Sequence, residues 1–146
     1  MYEGFLGTHY HTLDEKGRVV MPAKYRARLA GGTVVSPSPD ACLHVYPADR
    51  FDQQVAELVS GPRSNPATRA RARALRGAAS DQDLDAQGRI MLPAGLRARV
   101  GLRRDVVVVG VGPYFEIWDA EAWSEEEARA DAVLREHQAA AGEEAP

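Results

Sequence analysis

Two aspartate–arginine pairs recur at the same spacing in the two halves of the chain. Asp14 is followed four residues later by Arg18, and Asp85 by Arg89. A glycine directly precedes each arginine and can supply the positive φ that a tight turn requires. The aspartate can accept hydrogen bonds from backbone N–H groups two or three residues on. Arginine suits bidentate contacts with guanine and with phosphate, so the pattern indicates two structured turns that each present a cation.

The two pairs belong to a longer internal repeat. Residues 13–29 and 84–100 align without gaps, and nine of the 17 positions are identical. In each copy a turn separates two apolar runs, and a proline then opens a short helix, where its missing N–H costs nothing. A half of about 70 residues buries too little surface to be stable alone. We therefore expect two strand-turn-strand-helix units that share one core around an internal pseudo-two-fold axis.

Other chemistry has little support in the residue pattern. Asp14 and Asp85 could form a catalytic pair across the pseudo-two-fold axis, but an arginine and a turn explain each of them more simply. His9 and His11 share one strand face and could bind a metal, although a half-exposed strand is the ordinary explanation. The four histidines do not group with acids or with Cys42 at ligand spacing, and no glycine-rich phosphate loop follows a strand. We therefore expect that the protein is not an enzyme and that it has neither a cofactor nor a metal site.

The charge is distributed unevenly along the chain. The net charge is −3, but residues 1–79 hold 11 Lys and Arg against 7 Asp and Glu, whereas residues 80–146 hold 7 against 14. A DNA-binding surface depends on a local basic patch and not on the total charge, so this composition permits DNA binding. No run approaches the length of a membrane span and no signal peptide is evident, which predicts a cytoplasmic protein without membrane contact.

Apolar alternation and turn signals predict an α+β fold. In the first half we expect one hairpin from strands at 10–13 and 18–21 and another from strands at 33–36 and 41–46. Cys42, His44 and Tyr46 share one face of the last of these strands. The expected strands of the second half are 80–84, 89–92, 105–111 and 114–118.

Three helices are expected outside the repeat. The first spans 48–59 with Phe51, Val55 and Leu58 on one stripe, and the last begins near 120 behind an Asp119 cap and frays at 139–146. The middle helix, at 67–79, is rich in arginine and alanine. Its arginines fit a solvated helix that packs alanines on the core, or a helix that contacts phosphates, because three of them share a face: Arg69, Arg73 and Arg76.

The duplicated motif resembles the MraZ family of bacterial transcriptional regulators, which have AbrB-like, swapped-hairpin DNA-binding folds. The resemblance runs over residues 5–123 and rests on two Asp-x-x-x-Arg turns, each with a proline four residues after the arginine. It also includes the segments Gly7-Thr8-His9, Leu43-His44-Val45-Tyr46-Pro47 and Phe115-Glu116-Ile117-Trp118-Asp119. The copies differ at the turn, where Gln87 replaces Lys16 and a charge is lost. The implied fold is two tandem AbrB-like β-hairpin/helix half-units.

The resemblance implies a sequence-specific regulator that binds double-stranded DNA and is associated with the nucleoid. It implies binding to direct repeats upstream of the division and cell-wall gene cluster, repression there and of the regulator's own gene, and ring-like homo-oligomers. The DNA-binding side chains would be Arg18, Lys16, Arg89 and Gln87. The turn-forming residues would be Asp14, Gly17, Asp85 and Gly88.

The residues alone also allow a non-enzymatic interaction or assembly module. In that case the Asp–Arg pairs are internal salt bridges, and the acidic helix after Asp119 binds a basic partner. Self-association is expected because large apolar groups are many for so short a chain, notably Phe51, Leu58, Trp118 and Trp123. The expected divisions are a first half at 5–60, a linker and Arg/Ala-rich helix at 61–79, a second half at 80–125, and an acidic helix and tail at 126–146.

Overall fold

The computed structural model describes residues 2–144, and the two halves have the same order of elements. The first half contains β1 Thr8–Thr12, β2 Arg18–Val20, α1 Ala23–Arg26, β3 Thr33–Pro37, β4 Leu43–Pro47 and α2 Phe51–Val55. Short 3₁₀ turns lie at Ala27–Leu29 and Ala48–Arg50. Helix α3, Pro66–Leu75, connects the halves. The second half contains β5 Ser80–Gln82, β6 Arg89–Met91, α4 Ala94–Arg99, β7 Asp105–Gly110, β8 Phe115–Asp119 and α5 Ala120–Glu144. The predicted α+β class is confirmed.

The strands of both halves interleave in one antiparallel sheet. Within residues 2–144 its six strands follow the order β1-β7-β8-β4-β3-β5, and β2 and β6 form a separate two-stranded ribbon. In the repeat, β1, β3 and β4 correspond to β5, β7 and β8. When each strand is exchanged for its counterpart, the strand order read from one edge becomes the order read from the other edge. The pseudo-two-fold axis therefore passes between β4 and β8, where His44 lies opposite Glu116.

The prediction of a local hairpin from residues 10–13 and 18–21 was wrong. Strand β1 pairs with β7, and β2 pairs with β6, so each strand of that hairpin finds its partner in the other half. The turn itself closes as expected, because the Asp14 N–H donates to the Arg18 carbonyl at 3.0 Å. Exchange of strands lets Val19 and Ile90 lie directly opposite each other and fully buried, which a hairpin within one half could not achieve. The hairpin of β3 and β4 forms as predicted.

One apolar core lies between the ribbon and the sheet and draws on both halves. Val19 and Ile90 enter it from the ribbon, and Val45 and Ile117 enter it from the two central strands of the sheet. The rings of Phe5, Tyr25 and Phe115 meet in the same core, with centroids 4.8 to 5.1 Å apart. Burial of this apolar surface is the main favourable term in folding, and here it requires residues from each half.

The opposite face of the sheet carries two smaller apolar clusters. Tyr46, Phe51 and Val55 form one beneath α2 and α3. Trp118 and Trp123 contribute to the other, beneath α5, together with Cys42, Val107 and Val109. Phe51, Trp118 and Trp123 are therefore buried within the chain, and Leu58 alone of the four residues from which self-association was inferred is exposed. Exposed apolar side chains lie instead near the β1 edge, at Leu6, Tyr10 and Val111.

The helix boundaries differ from expectation in three places. The helix predicted at 48–59 becomes a 3₁₀ turn and the five-residue α2, and Leu58, beyond its end, is exposed. Helix α3 ends at Leu75, short of the predicted 79, and Asn65 caps its start. Helix α5 continues to Glu144 through the stretch expected to fray, since alanine and glutamate favour helix. Residues 145–146 lie outside the described residues.

Candidate nucleic-acid interface

Each turn is built around one aspartate carboxylate. Oδ1 of Asp14 accepts hydrogen bonds from the backbone N–H groups of Lys16 and Arg18, both at 2.9 Å. The second turn repeats this geometry, with Asp85 accepting from the N–H groups of Gln87 and Arg89, again at 2.9 Å. The carboxylate thus holds the loop closed, which explains why aspartate stands four residues before each arginine.

The second carboxylate oxygen of each aspartate orients the arginine. Arg18 donates through Nε to Oδ2 of Asp14 at 2.7 Å, and Arg89 donates in the same way to Asp85 at 2.6 Å. The arginines are therefore not free projections, and their side chains are 28% and 23% exposed. Because Nε faces the carboxylate, the two terminal nitrogens of Arg18 have no side-chain partner among the described residues. Those nitrogens form the fork that can contact a phosphate or a guanine edge.

Strand pairing brings the two turns together. In the ribbon, Arg18 lies opposite Met91, and Val20 lies opposite Arg89. Strand alternation puts these four side chains on the outer face, while Val19 and Ile90 face the core. Arg89 Nη1 also lies 3.9 Å from Oδ2 of Asp14 in the other half. The ribbon therefore presents two arginines and two exposed apolar groups on one surface.

Two further arginines, missed by the sequence reasoning, complete this surface. Arg97 lies against the first turn: a Cβ added to Gly17 would lie 2.6 Å from Arg97 Nε. Arg26 lies against the second turn in the same way, and a Cβ added to Gly88 would lie 2.5 Å from Arg26 Nε. Both glycines have positive φ, at 79° and 75°. Arg97 Nε donates to the Leu92 carbonyl at 2.8 Å, and Arg26 Nε donates to the Met21 carbonyl at 3.2 Å.

A sequence signal for these arginines was present. Arg26 and Arg97 occupy one of the identical positions of the repeat, but a local reading assigns them to exposed helix. Only the exchange of strands puts each of them over the turn of the other half. The surface then gathers five cations, Lys16, Arg18, Arg26, Arg89 and Arg97, against three carboxylates, Asp14, Glu15 and Asp85.

The two turns are not equivalent. Oε1 of Gln87 accepts a hydrogen bond from Nη2 of Arg89 at 2.9 Å, so this side chain folds back onto its own turn. Lys16 has no acceptor to offer Arg18, and its ammonium adds a positive charge at an exposed position. The first turn therefore carries more positive charge and a less restrained arginine than the second.

Both turn aspartates are ionised at neutral pH. The backbone hydrogen bond from Arg18 lowers the pKa of Asp14 most, with further lowering by the Arg18 side chain, and these together outweigh desolvation. The backbone and side chain of Arg89 lower the pKa of Asp85 in the same way. Each aspartate thus serves as an anionic turn cap paired with its arginine.

Most of the arginines in and directly after α3 bind neighbouring residues of the same region. Arg69 donates to the carbonyls of Arg63 and Ser64, and Arg71 donates to that of Ser60. Arg76 pairs with Asp52 and lies over the ring of Phe51, 5.6 Å from its centroid. These contacts favour the structural interpretation of this helix over the phosphate-contacting one.

The histidine pair on β1 has an ordinary environment. His9 lies edge-on to Tyr25, and its Nε2 is 3.2 Å from the Leu6 carbonyl. Burial, with a smaller contribution from His9, lowers the pKa of His11. The ring of His9 therefore packs against the apolar core through Tyr25.

Comparison with known proteins identifies the family. The family model described as "MraZ protein, putative antitoxin-like" matches twice, over residues 5–74 and 75–143. The chain belongs to the MraZ family. It is 46% identical over 132 residues to the transcriptional regulator MraZ of Thermobifida fusca, covering 90% of this chain and 92% of that protein. It is 49% identical over 121 residues to the transcriptional regulator MraZ of Mycobacterium ulcerans, covering 83% and 85% of the two chains.

Membership of the MraZ family confirms the resemblance inferred from the duplicated turn. The two matches divide the chain into tandem repeats, as the internal sequence repeat predicted. The named MraZ relatives are transcriptional regulators and not enzymes, in agreement with the non-enzymatic expectation. Among residues 2–144, no helix combines the length and the apolar character needed to cross a bilayer.

Proposed function

We propose that the chain is a transcriptional regulator that binds double-stranded DNA through the outer face of the β2–β6 ribbon. The observation that carries the proposal is the meeting of both Asp–Arg turns on this one ribbon. A two-stranded ribbon fits the major groove of B-DNA, where arginine can read guanine O6 and N7. The names of the MraZ relatives support the regulatory role.

The proposed roles of the site residues follow from their geometry. Arg18 contacts base edges or phosphates through its two terminal nitrogens, and Arg89 does so through Nη1, because Gln87 accepts from its Nη2. Lys16 contacts a phosphate, and Gln87 supports Arg89 more than it contacts DNA. Asp14, Asp85 and the glycines after them, Gly17 and Gly88, fix the positions of these cations. Val20 and Met91, exposed between the arginines, suit apolar contact with thymine methyl groups.

The proposal extends to targets and assembly through the family resemblance. The DNA sites are direct repeats upstream of the chain's own gene and of the division and cell-wall gene cluster, where binding represses transcription and concentrates the protein at the nucleoid. Several protomers in a ring would engage successive repeats and gain avidity. The exposed apolar groups near the free β1 edge, Leu6, Tyr10 and Val111, support self-association. The divisions at 5–60, 61–79, 80–125 and 126–146 are proposed as the functional units.

The test is a fluorescence-anisotropy titration of the DNA upstream of the chain's own gene, beside a scrambled duplex, over a range of salt. Arg18→Ala should lose most discrimination between the two duplexes, and Arg89→Ala should lose less. Lys16→Ala should weaken binding to both duplexes and reduce the salt slope by about one phosphate. Arg135→Ala, which removes a cation from the exposed part of α5, is the matched control and should bind like the wild type.

The short Asp–Arg ion pairs also favour a second candidate, an assembly module in which the turns are purely structural. The same variants separate the two functions. If Arg18→Ala discriminates between the duplexes like the wild type but melts earlier, Arg18 serves only as the partner of Asp14, and DNA binding through this ribbon is refuted.

A further inference from the structure

A cluster of metal-ligand side chains lies on the sheet face opposite the ribbon. His44 on β4 and Glu116 on β8 are register partners, and Cys42 lies two residues before His44 on the same face. The spacing of the histidines along the sequence predicted no grouping with an acid or with Cys42, and that prediction was wrong. Glu116 belongs to the other half of the chain, so only the central strand pairing brings it to His44.

The three donor groups converge on one point. His44 Nε2 lies 3.3 Å from Glu116 Oε2, and the Cys42 sulfur, one imidazole nitrogen of His44 and one carboxylate oxygen of Glu116 all lie within 4.8 Å of one another. Cys42 is fully buried, and the side chains of His44 and Glu116 are 10% and 12% exposed. Charged side chains seldom lie this deep, so a thiol, an imidazole and a carboxylate gathered away from bulk water form an uncommon cluster.

Neighbouring groups orient His44 and Glu116, and the Ser38 hydroxyl lies 3.3 Å from the Cys42 sulfur. The Tyr46 hydroxyl lies 3.1 Å from His44 Nδ1, and the Trp118 indole N–H donates to Glu116 Oε1 at 3.0 Å. The ring of Tyr114 lies 4.4 Å from that of His44. The outer atoms of His44 and Glu116 are therefore held, while Nε2 and Oε2 face each other at 3.3 Å. This is the supporting arrangement that metal-ligating residues typically have.

We propose that Cys42, His44 and Glu116 form a binding site for a divalent transition metal of the Zn²⁺ class. Thiolate, imidazole and carboxylate are the donors that zinc takes, whereas Mg²⁺ and Ca²⁺ prefer oxygen donors alone. The three side chains supply three of the four ligands of a tetrahedral site, and a groove lined by Ser38, Pro39 and Leu75 lies beside His44. The site goes beyond the proposed DNA binding, because it lies on the other face of the sheet.

Metal binding at this site releases one proton. The Cys42 S–H bond breaks, a sulfur–metal bond forms, and the proton passes to solvent. The imidazole places its remaining proton on Nδ1, where the Tyr46 oxygen accepts it, and Nε2 binds the metal. Glu116 offers Oε2 to the metal, while the Trp118 indole N–H holds its Oε1.

The place of the site in the fold gives it a structural role. His44 and Glu116 are equivalent residues of the two halves, 72 positions apart, and they face each other across the pseudo-two-fold axis. A metal bound there connects the two central strands and therefore the two halves. The bound metal should stabilise the folded chain, since a ligand that binds only the folded state shifts the unfolding equilibrium.

The test uses the full chain, stripped with a chelator and titrated with Co²⁺ in the absence of thiols. One equivalent should produce a thiolate-to-cobalt charge-transfer band in the near ultraviolet and visible absorption of tetrahedral intensity. Zn²⁺ should displace the cobalt and raise Tm. Tyr46→Phe, which keeps the ring but removes the supporting hydroxyl, should weaken Zn²⁺ binding about 10- to 100-fold in competition with a chromogenic chelator.

Three variants decide the outcome. Cys42→Ala and Glu116→Gln should each lose the stoichiometric site, and the second keeps the test valid if the first fails to fold. The double variant His9→Gln/His11→Gln should retain it, which excludes the histidine pair on β1. Absence of the thiolate band in the wild type, or a Zn²⁺-dependent rise in Tm that survives in Glu116→Gln, would show that the cluster is only a buried hydrogen-bond network.

Discussion

Substitution of Gly17 by alanine tests whether Arg97 is held against the first turn. Gly17 has φ 79°, and its added Cβ would lie 2.6 Å from Arg97 Nε. The guanidinium can move because it is the far end of a flexible side chain, but it would then lose its hydrogen bond to the Leu92 carbonyl at 2.8 Å. The substitution therefore perturbs both the backbone and a contact between the two halves.

The expected cost has two parts. The left-handed backbone at a non-glycine residue costs about 1 kcal/mol. Loss of the Arg97 hydrogen bond adds about 1 kcal/mol, since this half-buried side chain can partly replace the bond with water. A total of roughly 2 kcal/mol should lower Tm by roughly 6 °C at this chain length.

Gly101→Ala provides the matched control. Gly101 also has positive φ, at 64°, but no atom lies within 4 Å of its added Cβ. Only the backbone part remains, so Tm should fall by about half as much as in Gly17→Ala. Thermal melts followed by circular dichroism, with DNA titrations on both variants, measure the difference. Gly17→Ala should also weaken DNA binding, because its carbonyl accepts the Leu92 N–H that closes the ribbon.

Two results would refute this reasoning. If the two variants melt at the same temperature and bind DNA alike, Arg97 does not constrain the turn. If Arg97→Ala and Gly17→Ala are fully additive in the double variant, the contact between these residues carries no free energy.

Two further predictions concern charge. Gln87→Lys should tighten binding to any duplex and steepen the salt slope by about one phosphate, because it adds a cation and releases Arg89 Nη2. An unchanged slope in salt titrations would indicate that the second turn lies away from DNA. The side-chain hydrogen bond from Arg103 lowers the pKa of Asp119, and backbone hydrogen bonds lower the pKa values of Asp14 and Asp85. The stability that these three ionised aspartates contribute is therefore present above their unfolded pKa of about 4 and is lost as the pH falls through the folded pKa. Asp119→Asn keeps a helix-capping side chain but not the charge, and urea melts between pH 7 and 3 should show a smaller loss of stability in this variant than in the wild type.

The sequence predicts local structure at the turns well because the determinants are local. Asp14 can reach the N–H groups of Lys16 and Arg18 whatever the rest of the chain does. The same local view fails for strand pairing. Both copies offer nearly identical strand edges, so the pattern around Arg18 cannot distinguish a partner nearby from one 73 residues away at Met91.

The missed residues share one cause. Arg97 meets Gly17 only because the halves exchange strands, and Glu116 meets His44 only because the central strands β4 and β8 of the two halves pair. The strand-face pattern already put Cys42 and His44 together, but it could not supply the third ligand from the other half. The length of α5 was missed for another reason, since the acidic and alanine-rich stretch after Trp123 is mostly exposed and its helix rests on propensity and not on packing.

Under the proposed function, the covalent joining of the two halves changes what kind of operator the ribbon can read. A homodimer of identical subunits presents the same side chains twice, so its best site is a palindrome. Here the two turns occupy the positions that two subunits would have in a dimer, but they belong to one chain and can differ in sequence. Lys16 of the first turn corresponds to Gln87 of the second. The ribbon therefore has a polarity, and a chain with polarity can recognise the direction of its site on the duplex.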